Sequence, residues 1–417
     1  MNKENKAYLV GICQNPRNFA AAEMSLKELS RLADTSGMTV VGSRIQKRMK
    51  PDTAYYAGKG FLHNVVQEMG YLDAGVLIFD NELSPSQGRN IEAEFEIDVS
   101  DRTEVILNIF HNHAHTRESR LQVHLAQLQY QLPRLKKLWS HLDREKGQAA
   151  GTGSASRGMG EKQIEVDKRL IRLEIARVKE ELDKIEKQKQ TQRKNRESVK
   201  KVCLVGYTNA GKSTLFNRLT DAGVLEEDKL FATLDTTTRK VEMERGHGII
   251  LSDTVGFISD LPHHLVASFR ATLKDVQDAD LLLHVVDSSD PDLHHYTEEV
   301  EKVLTQIEAN HIQQLMVFNK TDLCHKDTLA FITKTRPTAI AVSAKEGRHI
   351  DALLKQIDKF LYQSLRHTLL IPHDQQKVAH ALHELAEIET KEYTESGLKV
   401  TAIIHRGDLP TFEKFII

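Results

Sequence analysis

Cysteine is scarce in this sequence. Only Cys13, Cys203 and Cys324 occur, scattered and odd in number, so neither a disulfide framework nor a zinc motif is implied. The expected compartment is the reducing cytoplasm. Long apolar runs are missing too: nothing approaches the roughly 18 residues that mark a bilayer span. The N-terminus lacks a charged-then-apolar signal, and no membrane insertion is expected. Charge of one sign is also lacking. A formal net charge of -2 argues against a uniformly basic nucleic-acid binder.

What is present sets a different frame. With 417 residues and 40% apolar content, the chain can build two to four domains with real cores. The near-neutral total hides an uneven distribution. Residues 134–201 hold 20 Lys+Arg against 11 Asp+Glu, a local excess of about +9 on an otherwise acidic body. A localised anionic partner follows from that pattern.

Residues 8–12, 39–41 and 76–79 read as strands, with helices at 20–33 and 61–69 between them. This is a small α/β unit over 1–115 with a parallel sheet. Its turn at 57–60 carries Gly58-Lys59-Gly60, a weak phosphate signal that a plain βα turn also explains. His111 and His115 share a helical face, but no third ligand of suitable type accompanies them or His113, and no zinc is expected there.

From 116 to 198 the spacing changes. Leu121, Leu125, Leu128, Leu132, Leu135, Trp139 and Leu142 follow the 4-3 seam of a coiled coil, and Ile171, Ile175, Val178, Leu182 and Ile185 repeat it. Two such helices should pack as an antiparallel hairpin, the first kinked at Pro133. The loop at 147–160 holds five glycines, among them Gly158 and Gly160. It reads either as a floppy connector or as a probe that orders in a partner, with Arg157 and Lys162 on phosphates. Lys168, Arg169, Arg172, Arg177 and Lys179 on the second helix suggest an RNA-facing surface.

Residues 199–365 carry the chemistry. Short apolar runs at 202–205, 249–251, 281–286, 315–318 and 339–342 fit a buried, doubly wound parallel sheet. After the first comes Gly206-Tyr207-Thr208-Asn209-Ala210-Gly211-Lys212-Ser213-Thr214, a phosphate-binding loop opening a helix. Lys212 should reach the β- and γ-phosphates and Ser213 should ligate Mg²⁺. Asp253-Thr254-Val255-Gly256 closes the next strand, with Asp253 on Mg²⁺ through water and the Gly256 N–H at the γ-phosphate. Asn319-Lys320-Thr321-Asp322 follows, its carboxylate matched to the paired N–H donors of guanine, which adenine lacks. Ser343-Ala344-Lys345 offers a backbone N–H to the guanine oxygen. The set predicts GTP as substrate and GDP as product.

The switch segment at 225–239 should supply a second Mg²⁺ hydroxyl. Thr233 is the first choice, with Thr236, Thr237 and Thr238 open on residues alone. Phe257 stands where Ras-type GTPases place the Gln that orients the attacking water, so slow intrinsic hydrolysis is expected, raised by a partner. Asn209 also suits a potassium-stimulated site, where K⁺ adds charge stabilisation.

Beyond these motifs, the chain resembles the HflX family of translational GTPases, in the Obg-HflX superfamily. The residues concerned are Asn81-Glu-Leu-Ser-Pro-Ser-Gln-Gly-Arg-Asn90, Asp101-Arg-Thr-Glu-Val105, Leu125-Ala-Gln-Leu-Gln-Tyr-Gln-Leu-Pro-Arg134, Arg157-Gly158-Met159-Gly160-Glu161 and Phe231-Ala232-Thr233-Leu234-Asp235, with the phosphate loop and Asp253–Phe257. The likeness runs over about residues 8–365. It departs at Met159 and Thr236, where the family commonly has Pro. The resemblance implies that Thr233 takes the Mg²⁺ role, and that a family lacking the catalytic Gln accepts Phe257. It also implies binding to the 50S subunit of the 70S ribosome and its rRNA, with an N-terminal domain that approaches the peptidyl-transferase region. Ribosome splitting or rescue under stress is then the expected function, and a GTP-gated RNA chaperone or assembly factor the rival. The whole is expected to be a monomer of α/β class: a small α/β domain (1–115), a helical hairpin (116–198), a P-loop G domain (199–365) and a small α+β domain (366–417).

Overall fold

The computed structural model describes residues 5–135, 155–194, 199–220, 230–231, 233–243, 248–259, 270–325, 329, 332, 334–336, 338–362, 364–373, 375–394, 396–405 and 409–417. Trp139, Leu142, Ala232 and the loop glycines up to Gly153 lie outside the described residues, as do the side chains of Arg157 and Lys162.

The N-terminal unit is a four-stranded, all-parallel sheet of β1 (Lys6–Cys13), β2 (Thr39–Lys47), β3 (Val76–Phe79) and β4 (Asp98–Asp101), ordered β2-β1-β3-β4. Helices α1 (Phe19–Thr35) and α4 (Arg102–His113) cover one face through Leu26, Leu29, Val105 and Ile109. Helices α2 (Lys59–Leu72) and α3 (Pro85–Phe95) cover the other through Leu62, Val65 and Ile91. Two elements here escaped the apolar pattern. β4 reads Asp-Val-Ser-Asp, too polar to register as a buried strand. α3 is announced instead by its cap: Ser84 accepts the Gln87 N–H, Gln87 reaches back to the Ser84 N–H, and Pro85 opens the first turn.

Thr116 caps α5 (Arg117–Gln131), and Leu132-Pro133-Arg134 continues it as a tight 3-10 turn. The expected kink is thus the end of the α-helix, as proline's missing N–H requires. Arg134 donates to the Leu83 carbonyl and pairs with the buried Asp101, which fixes that turn to the N-terminal unit. Across from α5 lies α6 (Ala155–Lys194), whose Ile171, Ile175, Val178 and Leu182 pack against Leu121, Leu125 and Leu128. This is the predicted seam. The long helix already begins at Ala155, so Gly158 and Gly160 fall in its first turns and not in the loop.

The third unit carries β5 (Lys200–Val205), α7 (Lys212–Thr220), β6 (Thr237–Glu242), β7 (Gly248–Asp253), α8 (Arg270–Gln277), β8 (Leu281–Asp287), α9 (Leu293–Gln306), β9 (Gln314–Asn319), β10 (Ile340–Ala341) and α10 (Ile350–Leu361). Its sheet runs β10-β9-β8-β5-β7-β6, parallel except for β6. β6 is a mostly exposed edge strand, and its Thr-Thr-Arg-Lys sequence hid it from hydrophobic patterning. The last unit is an antiparallel sheet, β11 (Ser364–Ile371), β13 (Gly397–His405) and β12 (Ala386–Thr394), with α11 (Gln376–Leu385) closing its core on Leu369, Leu382 and Val400. α11 stops at Leu385, where Ala386 turns extended and starts β12. Among the described residues, no helix is long and apolar enough to cross a membrane.

Candidate functional site

Strand β5 ends in a phosphate-binding loop that only glycine can build at two points. Gly206 has φ +153°, and a Cβ there would sit 2.3 Å from the Val285 carbonyl oxygen on the neighbouring strand. Gly211 has φ +84°, with the Asn319 amide nitrogen at the same distance from its would-be Cβ. Helix α7 begins directly at Lys212, so its N-terminal dipole faces the loop. The Lys212 ammonium donates to the Gly206 and Tyr207 carbonyls at 3.1 and 2.9 Å. Burial pulls its pKa down to about 8, with the Asp253 charge opposing. Gly256 lies against this lysine: a Cβ on it would come within 3.0 Å of Lys212 Nζ and 2.8 Å of Thr208 Cα.

Three oxygen-bearing side chains from three separate segments meet beside the loop. Ser213 Oγ stands 2.6 Å from Thr233 Oγ1 and donates to Asp253 Oδ2 at 2.7 Å. Asp253 is fully buried, and burial raises its pKa while Lys212 and the hydroxyls of Ser213 and Thr233 pull it back. Its second oxygen, Oδ1, is buried without a hydrogen-bond partner, as is Thr208 Oγ1. Two hydroxyls and a carboxylate are the hard donor set that Mg²⁺ takes. An orphaned carboxylate oxygen among them fits a cation and its bound water, because a buried unpaired charge otherwise costs several kcal/mol, about 1–3 or more. Thr233, of the four candidate threonines, is the one placed here; Thr237 and Thr238 are in β6.

The motifs expected to read guanine converge from β9 and β10. Asn319 binds the two halves together: its amide donates to the Ala210 carbonyl at 3.0 Å, and its oxygen accepts the Ala344 N–H at 3.0 Å. Lys320 pairs with Asp287 at 2.8 Å. Asp322 accepts the Ser343 hydroxyl at 2.6 Å, which orients its carboxylate. The Ala344 N–H is directed at Asn319, and Lys345 is the exposed residue of its triplet.

Several residues of the switch segments direct their side chains away from the phosphate loop, Asp235 among them. Its carboxylate accepts the His115 and Thr116 N–H groups at 3.0 and 3.1 Å and the Thr116 hydroxyl at 2.6 Å, all at the start of α5. Phe231 is buried edge-to-face on Phe110 of α4, with centroids 4.8 Å apart, and Leu234 is buried in the same cluster. Thr254 donates to the Leu204 carbonyl inside the sheet. Val255 and Phe257 are core residues. Phe257 pairs with Tyr207 as a short parallel bridge, through Thr208 N–H to Phe257 O at 2.8 Å and Phe257 N–H to Gly206 O at 3.1 Å.

The Tyr207 hydroxyl donates to Glu28 of α1 and accepts the Ser259 N–H at 2.8 Å. Arg102, itself buried, pairs with Glu28 and Asp80 and donates to the Ser259 carbonyl. Glu28, Arg102 and Thr116 were missed by sequence reading. They are ordinary charged or capping residues far from every G motif, and only the fold brings them to it.

The surrounding sequence is equally specific. Residues 23–111 match the family described as "GTP-binding GTPase N-terminal", 113–196 "GTP-binding GTPase Middle Region" and 201–320 "50S ribosome-binding GTPase". "GTPase HflX" of Magnetococcus marinus is 44% identical over 84% of this chain and 81% of its own length. That of Caldanaerobacter subterraneus is 40% identical over 99% and 94%. The chain belongs to the HflX family of GTPases. The HflX protein of Escherichia coli is 39% identical over 89% of this chain and 87% of its own. Among solved structures, a GTP-binding protein of Sulfolobus solfataricus in complex with GDP is similar over 85% of this chain and 98% of that one, at 22% identity and TM-score 0.42. As an HflX GTPase the chain binds GTP and GDP and hydrolyses GTP. Its fold class is the expected one: a P-loop α/β G domain with a mainly parallel sheet, preceded by a smaller α/β unit and a helical hairpin.

Proposed function

We propose that this GTPase meets the RNA of the large ribosomal subunit through its helical hairpin and uses GTP to split or rescue ribosomes stalled or inactivated under stress. The observation that carries this reading is the match of residues 201–320 to a "50S ribosome-binding GTPase" in a chain whose basic excess is confined to the hairpin. On α6, Arg169 and Arg172 stand exposed, whereas Arg177 is partly neutralised by Glu174 and Glu181. Such a reading makes the protein cytoplasmic and a monomer in action.

In the hydrolytic cycle, Lys212 holds the β- and γ-phosphates and the loop N–H groups wrap them. Ser213 and Thr233 directly, and Asp253 through water, would hold Mg²⁺, which when bound would supply positive charge to the phosphates. The Gly256 N–H meets the γ-phosphate. Asp322 accepts the guanine N–H pair and thereby rejects ATP, since adenine would leave the carboxylate unpaired. Asn209, at φ +62° in the loop, would help hold a K⁺ that adds positive charge near the phosphates. Phe257 contributes no water-orienting group, so intrinsic turnover is slow and the ribosome raises it.

Sucrose-gradient sedimentation of 70S ribosomes with the protein and GTP tests this. Subunit peaks should replace the 70S peak, and Lys212→Ala should leave it intact. Deleting residues 151–158 should preserve GTP binding and abolish splitting. Intact 70S particles with no protein on the large subunit would overturn the reading.

A further inference from the structure

Thr233 does not hold its position alone. Two residues before it, Phe231 adopts φ +58° and buries its ring on Phe110 in the last turn of α4. Two residues after it, Asp235 is bound at three points by His115 and Thr116, where α4 hands over to α5. Leu234, between them, is 1% exposed in the same cluster. The hydroxyl placed 2.6 Å from Ser213 Oγ is therefore bracketed by two anchors, and both belong to one corner outside the G domain.

That corner is the root of the hairpin. Thr116 is the N-cap of α5, and its hydroxyl is shared between Ser119 and Asp235. α5 is packed along α6 through Leu121, Leu125 and Leu128, so a displacement of α6 is passed to α5. Any tilt moves the first turn of α5 and drags the carboxylate fastened to it. Packed cores respond to such displacements by jumping between arrangements, not by stretching.

We propose that Thr116 and Asp235 form a latch through which the orientation of the helical hairpin sets Thr233 on the Mg²⁺ site, making Asp235 a positioning residue for GTP hydrolysis. A large partner gripping the hairpin then alters turnover without touching the nucleotide. The latch deepens the site reading above and rests on Thr233 being the Mg²⁺-ligating threonine.

The test uses the full-length chain with GTP and GDP, following nucleotide affinity by fluorescent analogues, single-turnover hydrolysis, and the Mg²⁺ concentration for half-maximal rate. Asp235→Ala should slow hydrolysis about tenfold or more and raise the Mg²⁺ requirement, because Thr233 loses one of its two anchors. GTP affinity should weaken several-fold relative to GDP, whose unchanged affinity reports an intact fold. Thr116→Val, which removes only the hydroxyl from the latch, should move the same readouts in the same direction by a smaller factor. The double variant should be no worse than Asp235→Ala alone, since both break one connection. Should Asp235→Ala lose GDP binding, Asp235→Asn keeps the shape and weakens the acceptor, and it should show the same Mg²⁺ shift. Thr233→Ala separates the two levels. If it leaves hydrolysis and Mg²⁺ dependence unchanged, the Mg²⁺ assignment fails. If it abolishes them while the Asp235 and Thr116 variants match wild type, the latch fails and the site reading stands. Additive losses in the double variant would equally overturn the latch.

Discussion

His284 offers a quantitative check on the G-domain core. It sits in the middle of β8, between Val205 of β5 and Met316 of β9, and only 1% of it is exposed. Burial pushes the imidazole down to about 4, and a hydrogen bond with Gln314 offsets this only in part. Glu301, 3.9 Å away on a half-exposed side chain, is too distant and too wet to hold a charge there. In the unfolded chain the same group titrates near 6.5. Between those two values the unfolded state binds the proton and the native state refuses it. Stability is thus fully present above pH 6.5 and is lost as the pH falls toward 4, by up to about 3 kcal/mol at 1.4 kcal/mol per unit. By pH 5 the loss should be about 2 kcal/mol, or several degrees of melting temperature for a domain of this size. His284→Leu conserves volume and removes the titration. Melting curves of both proteins at pH 7 and pH 5 should therefore diverge, with the variant losing about 2 kcal/mol less on acidification. Imidazole NMR resonances give the direct value. A His284 titration near 6.5, or equal acid losses in both proteins, would refute the argument.

Other perturbations probe the site directly. Gly206→Ala would force a methyl to 2.3 Å from the Val285 carbonyl at a φ that L-residues avoid. Nucleotide binding should fall by at least a hundredfold in an equilibrium titration, and wild-type affinity would show that the loop relaxes. Asn319→Ala removes both hydrogen bonds joining the phosphate loop to Ala344 and strands a buried N–H. A cost of about 2 kcal/mol, roughly 30-fold in GDP affinity, is expected. Phe257→Gln should not restore Ras-like intrinsic hydrolysis, because position 257 is 4% exposed and faces the core. It should instead cost about 2 kcal/mol of stability, and a faster single-turnover rate would contradict the geometry.

Much of the fold was legible because its signals are local and strong. The G-domain strands are continuous apolar runs, the seam of Leu121, Leu125 and Leu128 is strictly spaced, and the phosphate loop needs its glycines for backbone reasons that hold in any context. The elements that escaped are those whose stability comes from partners distant in sequence. β4 and β6 are polar and are strands only because β3 and β7 pair with them. Part of the site was hidden for the same reason. Asp235 sits in a stretch that chain order assigns to the nucleotide, and nothing in its neighbours reveals that its carboxylate is spoken for by a helix start 119 residues away.

The engagement of Asp235 by a distant helix start bears on how control reaches this site. A G domain with a water-orienting glutamine needs only its own switches to be ordered. Here position 257 is committed to packing, so the remaining adjustable parts are the segment around Thr233 and the stretch after Phe257. Both are held from outside: Asp235 by Thr116, and Ser259 by Arg102, while Glu28 engages the Tyr207 hydroxyl that also binds Ser259. The two contacts differ in kind. Arg102 and Glu28 are almost wholly buried, so breaking that network costs several kcal/mol, about 3–5 when a charge is left unpaired, which suits a permanent joint between the two units. Thr116 is exposed and Asp235 only partly buried at the hairpin's root, where water can take the place of each broken hydrogen bond. A connection open to water is one a binding partner can make or break, and it is the one that ends next to Thr233.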